Sequence, residues 1–168
     1  KGLLLSAIRD PDPVLFMEPK HVYRSFRGEV PEGDYTVPIG EAAVRREGEA
    51  LTVVAWGSMV EKAETAIEEL GVDAELVDLR TISPMDTRTV VESVKKTGRA
   101  VVVHEAHRTG GWGGEIVATI NDEALMYLEA PVERVTGFDV PVPLLSMEDY
   151  YLPNPVRIAA GIERVLKY

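Results

Sequence analysis

The chain has 168 residues, 45% of them hydrophobic and 27% charged, a balance that supports a core of ordinary domain size and argues against wholesale disorder. Eighteen basic against 28 acidic residues give a net charge of −10. That sign disfavours nucleic acid, whose phosphates need Lys and Arg to neutralise them, and leaves room for a basic partner. Cysteine is absent, which removes disulfides, thiolate chemistry and Cys-ligated metals and fits a reducing compartment, and no apolar run reaches the roughly 20 residues of a membrane span.

The opening Lys1-Gly2-Leu3-Leu4-Leu5 has no signal-peptide cleavage pattern after it, and the chain starts without Met. The N-terminus therefore reads as a cut inside a longer protein. Residues 1–18 are expected to end a preceding domain, with a helix over Leu3 to Arg9 stopped by Asp10-Pro11-Asp12-Pro13. Val14 to Met17 then reads as a short, fully buried apolar strand. Residues 19–49, punctuated by Pro19, Pro31, Pro38 and four glycines, read as a linker across a surface, with an edge strand near Ala42 to Arg46.

A regular alternation begins near residue 50 and runs to 168. Leu51 to Trp56 predicts a buried strand, and Gly57-Ser58 turns into a helix whose Val60, Ala63, Ala66, Ile67 and Leu70 share one face, ended by Gly71. Ala74 to Leu79 is the next strand, and Ser83-Pro84-Met85-Asp86 starts a helix to Thr97, closed by Gly98. Ala100 to His104 predicts a third strand, Glu115 starts a third helix after a glycine cluster, and Val132 to Thr136 predicts a fourth strand. Asn154-Pro155 opens a final helix, with Pro at its first position. Strands alternating with helices of about a dozen residues imply an α/β fold, a three-layer arrangement with a mostly parallel sheet and helices on both faces.

Candidate chemistry is sparse. Gly110-Gly111-Trp112-Gly113-Gly114 could present backbone N–H groups to an anion. It fits neither phosphate-loop pattern, and Glu115 puts a competing charge at the helix start, so a tight turn with close helix–sheet packing is the simpler reading. His104 and His107 lack the spacing of a helical zinc site; hydrogen bonding of His104 to the neighbouring loop accounts for the first, solvent or a subunit for the second. Ser58 and Ser83 sit outside any nucleophile elbow and read as helix caps. Asp78 is expected to pair with Arg80 at a strand end and Asp86 to cap a helix. No catalytic, cofactor-binding or metal residue is assigned.

The ordered motifs say more than any single residue. Asp12-Pro13-Val14-Leu15-Phe16-Met17-Glu18-Pro19-Lys20 resembles the end of the pyrimidine-binding domain in beta subunits of thiamine-diphosphate-dependent 2-oxo acid dehydrogenases. Val37 to Ala42 is similar to that family's interdomain segment, and Asp78-Leu79-Arg80-Thr81-Ile82-Ser83-Pro84-Met85-Asp86 to its most characteristic stretch. Lys96 to Arg99, Leu128-Glu129-Ala130-Pro131, Arg134 to Pro141 and Tyr151-Leu152-Pro153 complete a series that spans the chain. The resemblance implies a transketolase-like C-terminal domain over residues 50–168 and oxidative decarboxylation of pyruvate or branched-chain 2-oxo acids with acyl transfer to lipoyl. It also implies a cytoplasmic heterotetramer with an alpha subunit and a second beta subunit. Thiamine diphosphate and magnesium would sit at alpha–beta interfaces, with the catalytic residues upstream of Lys1. This segment would serve assembly and dock the subunit-binding domain of the lipoyl acyltransferase through Glu129 and the terminal carboxylate of Tyr168. The apolar stretch from Phe138 to Leu152, with Leu144 and Leu145, is expected at the beta–beta interface. The alternatives are the C-terminal domain of a transketolase or deoxyxylulose-phosphate synthase, against which the Leu128 to Pro131 stretch argues, and a freestanding interaction domain of the same fold.

Overall fold

The computed structural model describes residues 1–25 and 27–168, with Leu145 described by its backbone alone. Strands β1 (Ala43–Arg46), β2 (Leu51–Ala55), β3 (Ala74–Asp78), β4 (Ala100–His107) and β5 (Glu133–Gly137) form one sheet in the order β1-β3-β2-β4-β5. β1 runs antiparallel to β3, and the other pairings are parallel. Parallel neighbours need crossovers, and the crossovers are helices that cover both faces.

Helices α2 (Met59–Leu70) and α6 (Pro155–Leu166) cover one face. Their Met59, Ala63, Ile67, Ile158 and Ile162 pack with Leu51, Val53, Leu76, Val101, Val103 and Val135. Helices α3 (Thr87–Thr97) and α4 (Gly113–Ala124) cover the other, where Val90, Val94, Ile116 and Ile120 meet Val54, Val77 and Val102. Alternate residues of each strand thus feed opposite layers. Burying each large aliphatic side chain contributes about 1.5–3 kcal/mol. Two shorter helices, α1 (Gly2–Arg9) and α5 (Glu148–Tyr151), lie outside the layers.

Helix ends follow their local chemistry. The Asp86 carboxylate accepts from Thr89 N–H at 3.0 Å and starts α3, while Gly98, at φ 69°, ends it. Asn154 accepts from Arg157 N–H at 2.9 Å, with Pro155 following it. Three expectations change. Ser83 is no cap, because Asp86 lies closer to the first helical turn and α3 starts at Thr87. α4 starts at Gly113, ahead of Glu115. Val14, Leu15, Phe16 and Met17 form no strand and are exposed. A lone strand has no ladder to satisfy its N–H and C=O groups.

The sheet carries polar groups inside. Thr52 in β2 is fully buried, and its hydroxyl shares hydrogen bonds with Ser93 at 2.7 Å and Thr97 at 2.8 Å. Beside it in register is Glu75, 3% exposed, whose carboxylate pairs with Lys96. Burial works to raise the Glu75 pKa, but donation from Lys96 and Ser93 outweighs it and the net direction is down. A carboxylate held below its unfolded pKa stabilises the fold at neutral pH, and that contribution is lost as pH falls through the folded value. Glu75→Gln is therefore expected to lower the unfolding free energy at pH 7 by about 1–3 kcal/mol. In urea titrations across pH 3–7 the gap between the two proteins should close on the acid side.

Candidate functional site

β2 leads to β3 on one side, while β4 lies on its other side. The carboxyl ends of β2 and β4 therefore form the topological switch point where open α/β sheets hold ligands. Trp56, Gly57 and Ser58 follow β2 there, His104 and Glu105 belong to β4, and the glycine turn leads into α4.

His104 fills this point. Its ring stacks on Trp56, with centroids 5.4 Å apart and planes 16° off parallel, and the residue is 1% exposed. A Cβ on Gly113 would come within 2.5 Å of His104 Nε2, and one on Gly111 within 2.6 Å of Cε1. The turn needs glycine because the imidazole, and at Gly111 the still nearer His107 carbonyl oxygen, occupy the side-chain space, so the close packing expected of it is what the geometry displays. The expected hydrogen bond from His104 to the loop is not formed: neither ring nitrogen has a partner among the described residues. Burial lowers the His104 pKa and the Arg134 charge adds to it, so the ring is neutral at pH 7.

The remaining candidates are dispersed. Ser58 makes no cap; its buried hydroxyl donates to the Glu105 carboxylate across the switch point, and neither ring nitrogen of His104 bonds to it to activate it. Asp78 accepts from the Arg80 backbone N–H at 3.0 Å, not from its guanidinium, and burial raises its pKa. Asp86 is occupied by Thr89 and by Ala42 N–H at 2.9 Å, which ties the Val37 to Ala42 segment to α3. The two carboxylates share no hydrogen-bond partner. His107 Nε2 lies 2.6 Å from the Val140 carbonyl, away from His104. Among the described residues no group of three potential ligands converges on a metal position.

The surface residues separate to opposite ends of the sheet. Glu129, whose N–H bonds the Gly98 carbonyl at 2.8 Å, lies where β4 begins. Arg157 donates to Thr136 O at 2.6 Å and Arg164 to Glu133 at 2.6 Å, so α6 runs antiparallel to β5 and brings Tyr168 to that same end. Glu129 pairs with Arg99 at 2.5 Å, and its side chain stays 60% exposed. Leu144, 87% exposed, lies at the opposite end with exposed Phe138, Val140, Val142 and Tyr150; the side chain of Leu145 lies outside the described residues. Tyr151 departs from this group. It is buried under His107 and Phe138 and anchors the base of the loop, helped by Arg157 on its carbonyl at 2.9 Å and Thr109 on Asp139. No pattern in the chain separated Tyr151 from Tyr150, since adjacent tyrosines differ only in which one the tertiary packing accepts.

Residues 40–158 match the model of the family described as transketolase, C-terminal domain. The chain is 49% identical to the mitochondrial 2-oxoisovalerate dehydrogenase subunit beta of Dictyostelium discoideum, over 100% of its own length and 46% of that protein. It is 50% identical to a pyruvate dehydrogenase E1 component subunit beta of Acholeplasma laidlawii, over 99% of its length and 52% of the relative. The same-named protein of Bacillus subtilis is 48% identical, over 100% and 53%. The chain spans about half the length of these curated relatives. Among solved structures, a split-gene transketolase described as an inactive beta4 tetramer superposes with a TM-score of 0.70 at 31% identity, over 86% of this chain and 47% of that one.

The wedge at the switch point can be tested by changing both partners. Gly113→Ala should destabilise the protein by about 1–3 kcal/mol through overpacking. In the His104→Ala background the same change should cost less than half as much, measured by thermal or denaturant unfolding. Equal costs in both backgrounds would show that the ring and the turn are not in contact.

Proposed function

The chain belongs to the transketolase C-terminal domain family, and from that premise we propose that it is the C-terminal part of the beta subunit of a 2-oxo acid dehydrogenase. One observation carries the reading: 49% identity over the whole chain to a relative named 2-oxoisovalerate dehydrogenase subunit beta. Relatives named for pyruvate stand level with it at 50% and 48%, so the proposed substrate class covers pyruvate and branched-chain 2-oxo acids. The transketolase alternative is weaker, resting on 31% identity. The complete enzyme would be an oxidoreductase that decarboxylates the 2-oxo acid and passes the acyl group to lipoyl. Its proposed location is the cytoplasm; among the described residues no helix is long and apolar enough to cross a membrane.

The complete enzyme would join this chain to an alpha subunit and a second beta subunit, with thiamine diphosphate and magnesium at the alpha–beta interfaces. This chain's own residues do not fit that cofactor. The glycine turn is closed by His104, and no trio of carboxylates and imidazoles converges among the described residues. No chemical step is therefore assigned to the segment, whose part is assembly and docking. Residues 1–18 would complete a preceding pyrimidine-binding domain, whose sheet would cover the exposed Val14 to Met17; residues 19–49 would be the linker, and 50–168 the domain proper.

Two surfaces follow from this reading. The exposed apolar loop around Leu144, with Leu145, would hold beta subunits together, and the base contacts of Tyr151 and Asp139 support a loop that presents its apolar tip outward. Glu129 and the terminal carboxylate of Tyr168, at one end of the sheet, would receive the basic subunit-binding domain of the acyltransferase. Arg99 already neutralises part of the Glu129 charge, so the contribution of Glu129 is that of a partly screened charge acting on association rate and salt dependence.

Leu144→Asp in the assembled enzyme should shift sedimentation towards smaller species with the domain still folded; an unchanged assembly would remove the loop from the interface. Glu129→Lys should weaken acyltransferase binding at least ten-fold at low salt, where steering is strongest, and leave decarboxylation of free 2-oxo acid near the wild-type rate. Equal binding by both proteins under those conditions would take Glu129 out of the docking site.

A further inference from the structure

β5 is an end strand of the sheet, so one side of its backbone has no ladder partner. The carbonyls of Arg134 and Thr136 lie two residues apart and on the same side of the strand. Both are taken by arginine side chains. Arg108 Nη1 donates to Arg134 O at 3.0 Å, and Arg157 Nη2 donates to Thr136 O at 2.6 Å. Arg157 also donates to Tyr151 O at 2.9 Å and lies over the Phe138 ring, 4.4 Å from its centre. These contacts close an open sheet edge, which is otherwise a template for unwanted pairing.

They also leave charge unspent. Among the described residues no carboxylate lies within salt-bridge distance of the Arg108, Arg134 or Arg157 guanidiniums; Arg164 alone of the group has one, Glu133 at 2.6 Å. The four arginines line, with Glu133 and Asp139, a groove of about 400 Å³ between the strand edge and α6. Asp139 is itself occupied by Thr109, through its N–H at 2.9 Å and its hydroxyl at 2.8 Å. The guanidiniums of Arg108, Arg157 and Arg164 against two engaged carboxylates make this groove basic in a chain whose net charge is −10; the Arg134 side chain turns to the α4 face, near Gly114. Part-burial lowers the Arg157 pKa, yet a guanidinium stays protonated at any physiological pH.

We propose that the groove between β5 and α6 binds a dianionic phosphoryl group, free or carried by a small molecule, with Arg108, Arg157 and Arg164 as its donors. A guanidinium has five N–H donors in a fixed fork, and the carbonyl contacts of Arg108 and Arg157 use one and two of them, holding the fork while leaving donors for an oxyanion. The Arg134 guanidinium turns back to the Arg108 carbonyl at 3.1 Å and contributes mainly field. Phe138, Val135 and Ala160 supply an apolar wall for the rest of an organic phosphate. The volume falls within the roughly 300–1,000 Å³ of small-molecule sites. An acidic polypeptide fits less well, because laying a strand along β5 would break both arginine–carbonyl contacts.

Calorimetric titration of the protein with inorganic phosphate, pyrophosphate and glycerol 3-phosphate, at constant ionic strength, tests the assignment. Saturable binding is expected, weakened at least ten-fold by Arg108→Gln and by Arg157→Gln and unchanged by Arg88→Gln on the far side of the domain. Tighter binding of glycerol 3-phosphate than of phosphate would identify an organic ester as the ligand; equal binding would identify the free ion. If loss of the Arg157 carbonyl contacts unfolds the protein, Arg108→Gln, on an exposed loop, carries the test alone. No saturable binding up to millimolar ligand, insensitivity to Arg108→Gln, or tighter binding of a penta-aspartate peptide than of any phosphate would each overturn the proposal.

Discussion

Strand β2 has no exposed side chain, has a parallel neighbour on each edge, and has a helical layer over each face. Nearly everything else in the molecule answers to that enclosure. Its flanking strands are reached by crossovers through α2 and α3 on opposite faces; α4, the crossover to β5, joins α3, and α6, after the last strand, joins α2. Its single hydroxyl must find partners inside the protein, which Ser93 and Thr97 provide from α3. The reversal of direction in strand order on either side of it creates the switch point at its carboxyl end.

In many folds of this architecture that switch point holds a ligand. Here an imidazole takes the space. His104 is neutral, stacked on Trp56 and pressed against Gly111 and Gly113, so the glycine turn that elsewhere would open a helix N-terminus to an anion is closed from beneath. Ser58 and Glu105 bridge β2 and β4 across the same end. The consequence is a domain whose interior is structural, so that the proposed contacts lie on its outside. Glu129 and Tyr168 lie at one end of the sheet, the Leu144 loop lies at the other, and an arginine-lined edge runs between them along β5.

The electrostatics of those surfaces are local rather than global. The chain is acidic overall, yet the β5 groove collects Arg108 and Arg157, whose partners are carbonyls, beside Arg164 paired with Glu133, while Glu129 is paired with Arg99. Net charge steers a distant partner; the sign at contact is decided by which side chains the fold sets side by side.

The amino-acid sequence by itself determined the layers. Runs such as Leu51 to Ala55 and Ala100 to Val103 can be stable only when buried on both faces, and the helical stripes with Gly71, Gly98 and Asn154-Pro155 at their ends leave little choice of element type or boundary. The family was legible too, because its motifs are contiguous stretches in a set order. What the tertiary structure decided were pairings between residues far apart in the chain: Ser58 with Glu105 instead of a helix end, Glu129 with Arg99, Tyr151 inward and Tyr150 outward, and Arg108 and Arg157 on the carbonyls of one edge strand. Periodicity reports which face of an element is apolar, a property of neighbours along the chain. A hydrogen bond or ion pair depends on distances of a few ångströms across elements, and those exist only once the layers have packed.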